Sequence, residues 1–313
     1  MTAPGLPSHE FRGLAQAGAD TRVGAAPAVT GAGATTIVNA MTIDVEDYFQ
    51  VSAFTPHVDR AAWDTTECRV ERNVHRILGL LADAGASATF FTLGWIAERY
   101  PRLVQRIAGA GHEVASHGFA HFRASEQTPA EFLADIRLAK AVLEDVAGCE
   151  VRGYRAPSFS IGDKNAWAHD AIAEAGYRYS SSIYPIRHDH YGVPDAPRFA
   201  YEVRPGLLEV PVATVRLLGT NFPAGGGGYF RLLPYRMSRW SLRTINARDR
   251  QPAMFYFHPW ELDPEQPRVT GAGAKTRFRH YVNLERTAPR LARLFRDFRW
   301  SRADTVFLPG GAR

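Results

Sequence analysis

The strongest constraint on the fold is a regular alternation of strand and helix signals that begins at Ile37. Short apolar runs typical of buried strands alternate with segments whose apolar residues recur at helical spacing. About seven such units in succession predict an α/β fold in which a parallel sheet is covered by helices, most economically as a barrel. The predicted strands are residues 37–43, 88–93, 112–116, 153–155, 177–182, 207–212 and 253–257, with a possible closing strand at Thr305–Leu308.

The first 36 residues have a different composition from the rest of the chain. They are rich in Ala, Gly, Pro and Thr and short of large apolar side chains, which predicts a disordered leader over residues 1–36. This leader has no apolar core of the signal-peptide kind, and no apolar run reaches the roughly 20 residues of a membrane span. We therefore expect a cytoplasmic protein without a transmembrane segment. Since no linker interrupts the alternation, residues 37–313 are interpreted as one domain.

The net charge of +5 raises the question of nucleic-acid binding. Only three of the 37 basic residues are lysines, and the arginines are spread along the chain rather than clustered on one segment. Phosphate recognition needs such a cluster, so we exclude nucleic acid as a partner. The chain has only two cysteines, Cys68 and Cys149, so a metal site would have to use histidine and carboxylate ligands.

Chemistry in parallel α/β folds is expected at the carboxyl ends of the strands, and polar residues follow the predicted strands there. Asp44-Val-Glu-Asp47 follows the first strand, and a pair of histidines, His117 and His121, follows the third. An i, i+4 histidine pair can hold one zinc ion, although 11 histidines make such a pair common by chance. Arg155 follows the fourth strand, where it could hold a carboxylate ionised, and His258 leaves the last strand as a candidate general acid.

The order of these motifs resembles that of the NodB-homology polysaccharide deacetylases, carbohydrate esterase family 4. The resemblance extends over about residues 37–308 and is specific in combination. Longer stretches are similar to a branch associated with exosortase-linked exopolysaccharide loci. The stretches that carry this resemblance are Asp44–Phe49, Gly153–Phe159, Tyr184–His190 and Asn283–Thr287.

The resemblance implies a distorted (β/α)7-type barrel with a C-terminal family extension at about residues 265–313. It also implies a divalent metal, most often zinc but with cobalt or nickel as alternatives, bound by His117, His121 and an acidic residue. The usual motif has adjacent aspartates, whereas Val45 and Glu46 separate the two aspartates here. We predict Asp47 as the third ligand because aspartate is the family's ligand, and Glu46 remains the alternative.

The resemblance further assigns roles around the metal. Asp44 is the base that activates water, Arg155 orients Asp44, and His258 protonates the leaving amine, while a backbone N–H near Tyr48 helps to stabilise the oxyanion. The aspartate that commonly tunes the acid histidine is absent, because serines stand at positions 180 and 181. The residues expected to contact substrate are Tyr48, Pro157, Ser158, Phe159, Tyr184 and Trp260.

The resemblance thus implies a metal-dependent hydrolase that removes acetyl groups, most often N-acetyl, from an exopolysaccharide or its lipid-linked precursor. Two alternatives remain open. One is a metal-independent amide hydrolase similar to the allantoinase relatives on the same fold. The other is a catalytically inactive protein that binds carbohydrate.

Overall fold

The computed structural model describes residues 37–189 and 191–308. The predicted disordered leader, residues 1–36, and His190 lie outside these ranges. The described strands are β1 (Val38–Val45), β2 (Thr89–Thr92), β3 (Glu113–Ser116), β4 (Gly153–Tyr154), β5 (Tyr179–Ser180), β6 (Tyr201–Arg204), β7 (Leu207–Glu209), β8 (Thr214–Leu217), β9 (Thr220–Pro223), β10 (Met254–Phe257) and β11 (Arg299–Ser301).

The α-helices cover the sheet and follow its strands along the chain. They are α1 (Val70–Asp83), α2 (Gly94–Arg99), α3 (Pro101–Gly109), α4 (Pro129–Ala147), α5 (Ala168–Glu174), α6 (Gly227–Leu232), α7 (Tyr235–Thr244), α8 (Ala274–Tyr281), α9 (Thr287–Asp297) and α10 (Ala303–Phe307). The α4 helix begins at a capping box in which the Thr128 backbone N–H donates to Glu131, 2.8 Å away. It ends at Gly148, whose φ of 65° is the left-handed conformation that glycine adopts without strain.

The main sheet has the strand order β10–β1–β2–β3–β4–β5–β7–β6. All neighbours on this path are parallel except β6 and β7, which are antiparallel, and β11 also pairs with β1 in parallel. The seven predicted strands overlap β1 to β5, β7 and β10. The prediction of an α/β fold with a curled sheet of the distorted-barrel kind is therefore confirmed.

The predicted closing strand at Thr305–Leu308 is wrong, because most of that segment belongs to helix α10. An apolar run this short fits either a strand or a helix. The structure satisfies the first N–H groups of α10 with buried acceptors: Ala303 N donates to Thr89 Oγ1 (2.8 Å) and Asp304 N to Glu113 Oε2 (3.2 Å). These contacts stabilise the start of α10. The strand near this end of the chain that pairs with β1 is β11.

The hydrophobic core lies between the sheet and its helices. The apolar side of α1 is buried, as its helical spacing predicts, and it packs in one cluster with side chains of the strands. The buried apolar residues of α1 are Val70, Val74, Ile77, Leu78 and Leu81. No helix in residues 37–189 and 191–308 is both long enough and apolar enough to cross a membrane.

The parallel register brings the sequence motifs to one edge of the sheet. Ile43 of β1 pairs with Phe257 of β10, so Asp44 and His258 leave neighbouring strands at the same level. Ser116 of β3 pairs with Tyr154 of β4, which places His117 beside Arg155 in the same way. The carboxyl edge of the sheet therefore carries all of the predicted chemistry.

Candidate metal centre and catalytic groups

Glu46, His117 and His121 form a buried group in which one potential ligand atom of each lies within 4.8 Å of the others. His121 Nε2 is 2.5 Å from Glu46 Oε2. Apart from this His121 contact, the buried oxygen has no hydrogen-bond partner among the described residues. A buried carboxylate oxygen that faces imidazole nitrogens is an arrangement that a cation satisfies, so the donor set fits a divalent metal with open coordination positions.

A hydrogen bond behind His117 orients one ligand atom of this group. His117 Nδ1 lies 2.8 Å from the carbonyl oxygen of Arg155, which leaves Nε2 directed at the group. Burial lowers the pKa of His117 to about 4, so its imidazole is neutral, as metal binding requires. Burial alone would raise the pKa of Glu46, but His121, His258 and His117 together outweigh burial and hold that pKa below its ordinary value.

Asp47, the predicted third ligand, lies outside this group. Its Oδ2 accepts hydrogen bonds from the backbone N–H groups of Arg69 (2.5 Å) and Val70 (2.8 Å), at the start of helix α1. The Cys68 thiol also donates to Oδ2 (3.0 Å), and Tyr48 N donates to Oδ1 (2.8 Å). Both oxygens of Asp47 are therefore already hydrogen-bonded, and Oδ2 caps the start of α1. The geometry favours Glu46, the alternative, as the third ligand.

The same contact changes the expectation for Tyr48. The motif resemblance predicts that a backbone N–H near Tyr48 helps to stabilise an oxyanion, and the N–H of Tyr48 itself donates to Asp47 Oδ1. The Tyr48 ring is also buried, and it packs edge-on against Phe49. Tyr48 itself therefore offers neither a free N–H nor an exposed ring.

Asp44 and Arg155 form a buried ion pair at the centre of the edge, with Arg155 Nη1 2.6 Å from Asp44 Oδ1. The remaining guanidinium donors bind Thr42 Oγ1 (2.8 Å), the Ser181 carbonyl (3.1 Å) and Ser181 Oγ (2.9 Å). The guanidinium also lies 4.1 Å from the centroid of the Phe91 ring. One Asp44 oxygen is thus fixed by a rigid cation, while Oδ2 lies 3.9 Å from His258 Nε2.

His258 faces both carboxylates of the first motif. Its Nε2 is 3.6 Å from Glu46 Oε1, and its Nδ1 is 2.7 Å from Glu261 Oε1. Burial would lower the pKa of His258, but the hydrogen bond with Glu261 and the charge of Glu46 raise it to about 9. At neutral pH His258 therefore carries the proton that a general acid needs.

The residues expected to contact substrate are mostly packed inside the protein. The rings of Phe159 and Tyr184 pack edge-on against each other and against Tyr256. Trp260 is sandwiched between His258 and His280, and its indole N–H donates to Glu46 Oε1 (3.2 Å).

Phe159, Tyr184 and Trp260 are all buried, so the structure does not present their rings for stacking with a sugar. Pro157 is also buried. Ser158 is partly exposed, and its hydroxyl donates to Ser52 Oγ (2.7 Å). Of the six predicted contact residues, Ser158 is the one with an accessible polar group.

Three non-glycine residues around the site adopt the left-handed region: His121 (φ 56°), Ser158 (φ 56°) and Phe159 (φ 50°). Such residues cost free energy and persist only where the surroundings enforce them. At His121 the enforcement comes from Arg60, which donates to the carbonyl oxygens of Ala120 (3.0 Å) and His121 (3.1 Å). The ligand loop is thus held by contacts that no short motif revealed.

Sequence reasoning missed Arg60, Arg231 and Glu261. Arg60 and Arg231 have no distinguishing signal in a chain this rich in arginine. Glu261 did have a distinguishing signal. It lies three residues after His258, with Pro259 between them, and this is the spacing of a helical capping box.

Two parts of the chain match families of known proteins. Residues 60–180 match the family described as polysaccharide deacetylase. This segment of the chain therefore carries a polysaccharide deacetylase domain. Residues 181–308 match a domain of unknown function, DUF3473. The two histidines of the candidate metal group lie in the first match, and His258 and Glu261 lie in the second.

Two curated relatives illustrate the similarity. A chitooligosaccharide deacetylase of Bradyrhizobium sp. (strain ANU 289) is 30% identical over 151 residues, 48% of this chain and 65% of the relative. A peptidoglycan-N-acetylglucosamine deacetylase of Bacillus cereus is 33% identical over 82 residues, 26% of this chain and 30% of the relative. The chain thus spans less than two thirds of the length of these relatives.

A solved structure shows the same fold. It is of a candidate polysaccharide deacetylase from Mycobacterium smegmatis, 22% identical, with a TM-score of 0.51. The match covers 87% of this chain and 94% of that one.

Proposed function

We propose that this polysaccharide deacetylase is a metal-dependent hydrolase that removes N-acetyl groups from a sugar polymer. The observation that carries the proposal is the buried group of Glu46, His117 and His121, beside which Asp44 and His258 lie 3.9 Å apart. A ligand set with open positions, a carboxylate and a protonated imidazole at one edge are the parts that amide hydrolysis needs.

A divalent cation held by Glu46 and the two histidines supplies Lewis-acid polarisation and acidifies water when bound. Asp44 takes one proton from the attacking water, and Arg155 keeps the carboxylate in position for it. His258 then gives the proton on Nε2 to the nitrogen of the leaving amine as the C–N bond breaks. The products are acetic acid and the free amine, and the acid then passes its proton to the amine or to solvent. Asp44 releases the proton that it took from water and His258 regains one, so atoms and protons balance over the cycle.

The two relatives described above are named for acetylated amino-sugar polymers, which supports a substrate of that class. An N-acetylated exopolysaccharide or its lipid-linked precursor is the substrate we propose, on the strength of the motif resemblance. Zinc is the proposed metal, because two imidazoles and one carboxylate are ligands that zinc commonly accepts in catalytic sites.

The test is acetate release from a panel of N-acetylated oligosaccharides by the purified protein, before and after chelation. We expect activity to disappear on chelation and to return with zinc, cobalt or nickel. Activity that survives thorough chelation would instead favour a metal-independent amide hydrolase. Polymer binding without any acetate release would favour an inactive carbohydrate-binding protein.

His117→Ala should abolish both metal binding and acetate release, because it removes one of three ligands. The matched control is His75→Ala, on the partly exposed surface of α1, which should keep both. Metal content is measured by elemental analysis of the two purified variants. Wild-type metal content in His117→Ala would remove this residue from the ligand set.

A further inference from the structure

Glu261 lies behind the candidate acid and touches it twice. It sits in the 3-10 turn Pro259–Leu262, and its Oε1 is 2.7 Å from His258 Nδ1. The same oxygen accepts a hydrogen bond from the His258 backbone N–H (3.0 Å). Glu261 is 1% exposed, so this carboxylate has exchanged its water for these contacts.

The other oxygen of Glu261 is held by Arg231 of α6. Arg231 Nε lies 2.6 Å from Glu261 Oε2, and the arginine is itself 2% exposed. Its remaining N–H groups donate to three main-chain carbonyls at the end of α8 and just after it. These acceptors are Arg279 (3.0 Å), His280 (2.8 Å) and Val282 (2.9 Å).

A buried carboxylate is costly unless a paired cation satisfies it, and here both oxygens are satisfied. Burial would raise the pKa of Glu261, but Arg231 and His258 lower it to about 2. The carboxylate therefore stays charged and immobile behind the imidazole. Arg231 cannot leave without exposing three carbonyls and one carboxylate.

This support fixes the direction of the His258 ring. Because Nδ1 is engaged by Glu261, Nε2 points into the site, 3.9 Å from Asp44 Oδ2. The ring is also stacked on Trp260, with centroids 5.0 Å apart and an interplanar angle of 20°. A hydrogen bond at one ring nitrogen sets the tautomer and therefore the chemistry of the other.

The serines at positions 180 and 181 do not perform this task. Ser181 binds the guanidinium of Arg155, and Ser180 Oγ donates to Ser182 Oγ (2.9 Å). The motif resemblance leads one to expect an aspartate at these positions as the partner of the acid histidine. In this chain the carboxylate that contacts His258 is instead Glu261, on the turn that directly follows the histidine.

We propose that Glu261, anchored by Arg231, is the positioning residue that holds His258 with its Nε2 proton aimed at the leaving group. The inference rests on the proposed function, since it assigns His258 the step that delivers a proton to the departing amine. When the C–N bond breaks, Nε2 gives up its proton, and the Nδ1 proton stays hydrogen-bonded to Glu261. The imidazole is then neutral and needs one proton from solvent to complete the cycle.

The leaving group provides a test that general structural damage would not mimic. An amine leaves only when protonated, whereas an activated aryl alcohol leaves as its anion. In Glu261→Gln we expect kcat for an N-acetylated oligosaccharide to fall about 100-fold, the lower range for a general acid, with KM unchanged. Hydrolysis of an aryl acetate by the same preparation should fall less than about threefold, since it does not use this acid.

The ratio of the two activities in one preparation is independent of how much protein is folded. Equal loss on both substrates, or no loss on the amide, would overturn the proposal. The matched control is Glu265→Gln, the same chemical change four residues later at an exposed position, which should leave the ratio unchanged.

A second measurement does not depend on activity. The Nδ1-bound proton of His258 should give a downfield proton NMR resonance that disappears in His258→Ala and in Glu261→Gln but persists in Glu265→Gln. If the wild type releases no acetate and the resonance behaves this way, the proposed function fails while the pairing stands. If Glu261→Gln keeps the resonance and the activity ratio, the pairing has no positioning role.

Discussion

The two edges of the parallel sheet bury glutamates in opposite ways. At the carboxyl edge Glu46 faces two imidazoles, and among the described residues its Oε2 has no hydrogen-bond partner besides the His121 contact. At the amino edge Glu113, the first residue of β3, is saturated. It accepts from Thr89 Oγ1 (2.5 Å), Tyr179 Oη (3.0 Å) and Asp304 N (3.2 Å).

The contrast separates a binding site from a structural one. A saturated carboxylate ties elements together, here β2, β5 and the start of α10, and leaves no lone pair aimed at an empty position. An unsaturated buried carboxylate carries a desolvation cost that a cation would offset. Both glutamates are buried, so it is their contacts, and not burial, that distinguish the two edges.

The largest expected effect comes from Glu46→Gln, which removes a charged ligand. Zinc affinity, measured by calorimetric titration of the chelated protein, should fall by more than the roughly 10- to 100-fold that loss of an outer-shell partner costs. Glu113→Gln, the matched change at the other edge, should leave zinc affinity unchanged. Equal zinc affinity in wild type and Glu46→Gln would exclude Glu46 as a ligand.

A smaller effect is expected at the neighbour of Glu46. Asp47→Ala deprives the start of α1 of its acceptor and should lower the free energy of unfolding by about 2 kcal/mol, the upper range for a helix cap. Metal content should stay at the wild-type value. Urea unfolding at saturating zinc measures the first quantity and elemental analysis the second.

The control for Asp47→Ala is Asp59→Ala, an exposed cap that accepts from Ala61 N (3.0 Å) and should cost less than the buried one. The opposite pattern, full stability with loss of metal, would restore Asp47 as the third ligand.

Most of the fold was predictable because strand periodicity and helix spacing depend on local sequence. The seven parallel strands and the capping box at Thr128 are of this kind. The assignment of Asp44, Arg155, His117, His121 and His258 to one edge followed from parallel strand order alone.

Local sequence could not decide whether Glu46 or Asp47 is the third ligand. Both follow the same strand and both are buried, but Asp47 faces the start of a helix more than 20 residues later in the chain. Arg231 is a similar case, since its partner Glu261 is 30 residues away. A contact between distant segments leaves no periodic trace in the sequence, so the acid's support could be found only in three dimensions.

A further expected effect concerns pH and the amino edge. Burial, reinforced by the charge of Asp304, raises the pKa of Glu113 above its ordinary value of 4.5. The folded protein therefore keeps a proton that the unfolded chain releases. The free energy of unfolding should fall as pH rises from 4.5 through the raised pKa, by about 1.4 kcal/mol for each pH unit that separates the two pKa values.

Glu113→Gln removes this titration, so its free energy of unfolding should fall less than that of the wild type over the same pH range. Its amide can keep the three contacts, because the carbonyl oxygen can accept from Thr89 and Asp304 while the NH2 group donates to Tyr179. Urea unfolding of both chelated proteins from pH 4.5 to 8 measures the difference, and other groups cancel in it. The exposed change Glu265→Gln should reproduce the wild-type slope, and a Glu113→Gln slope equal to the wild type would mean that Glu113 is ionised in the folded protein.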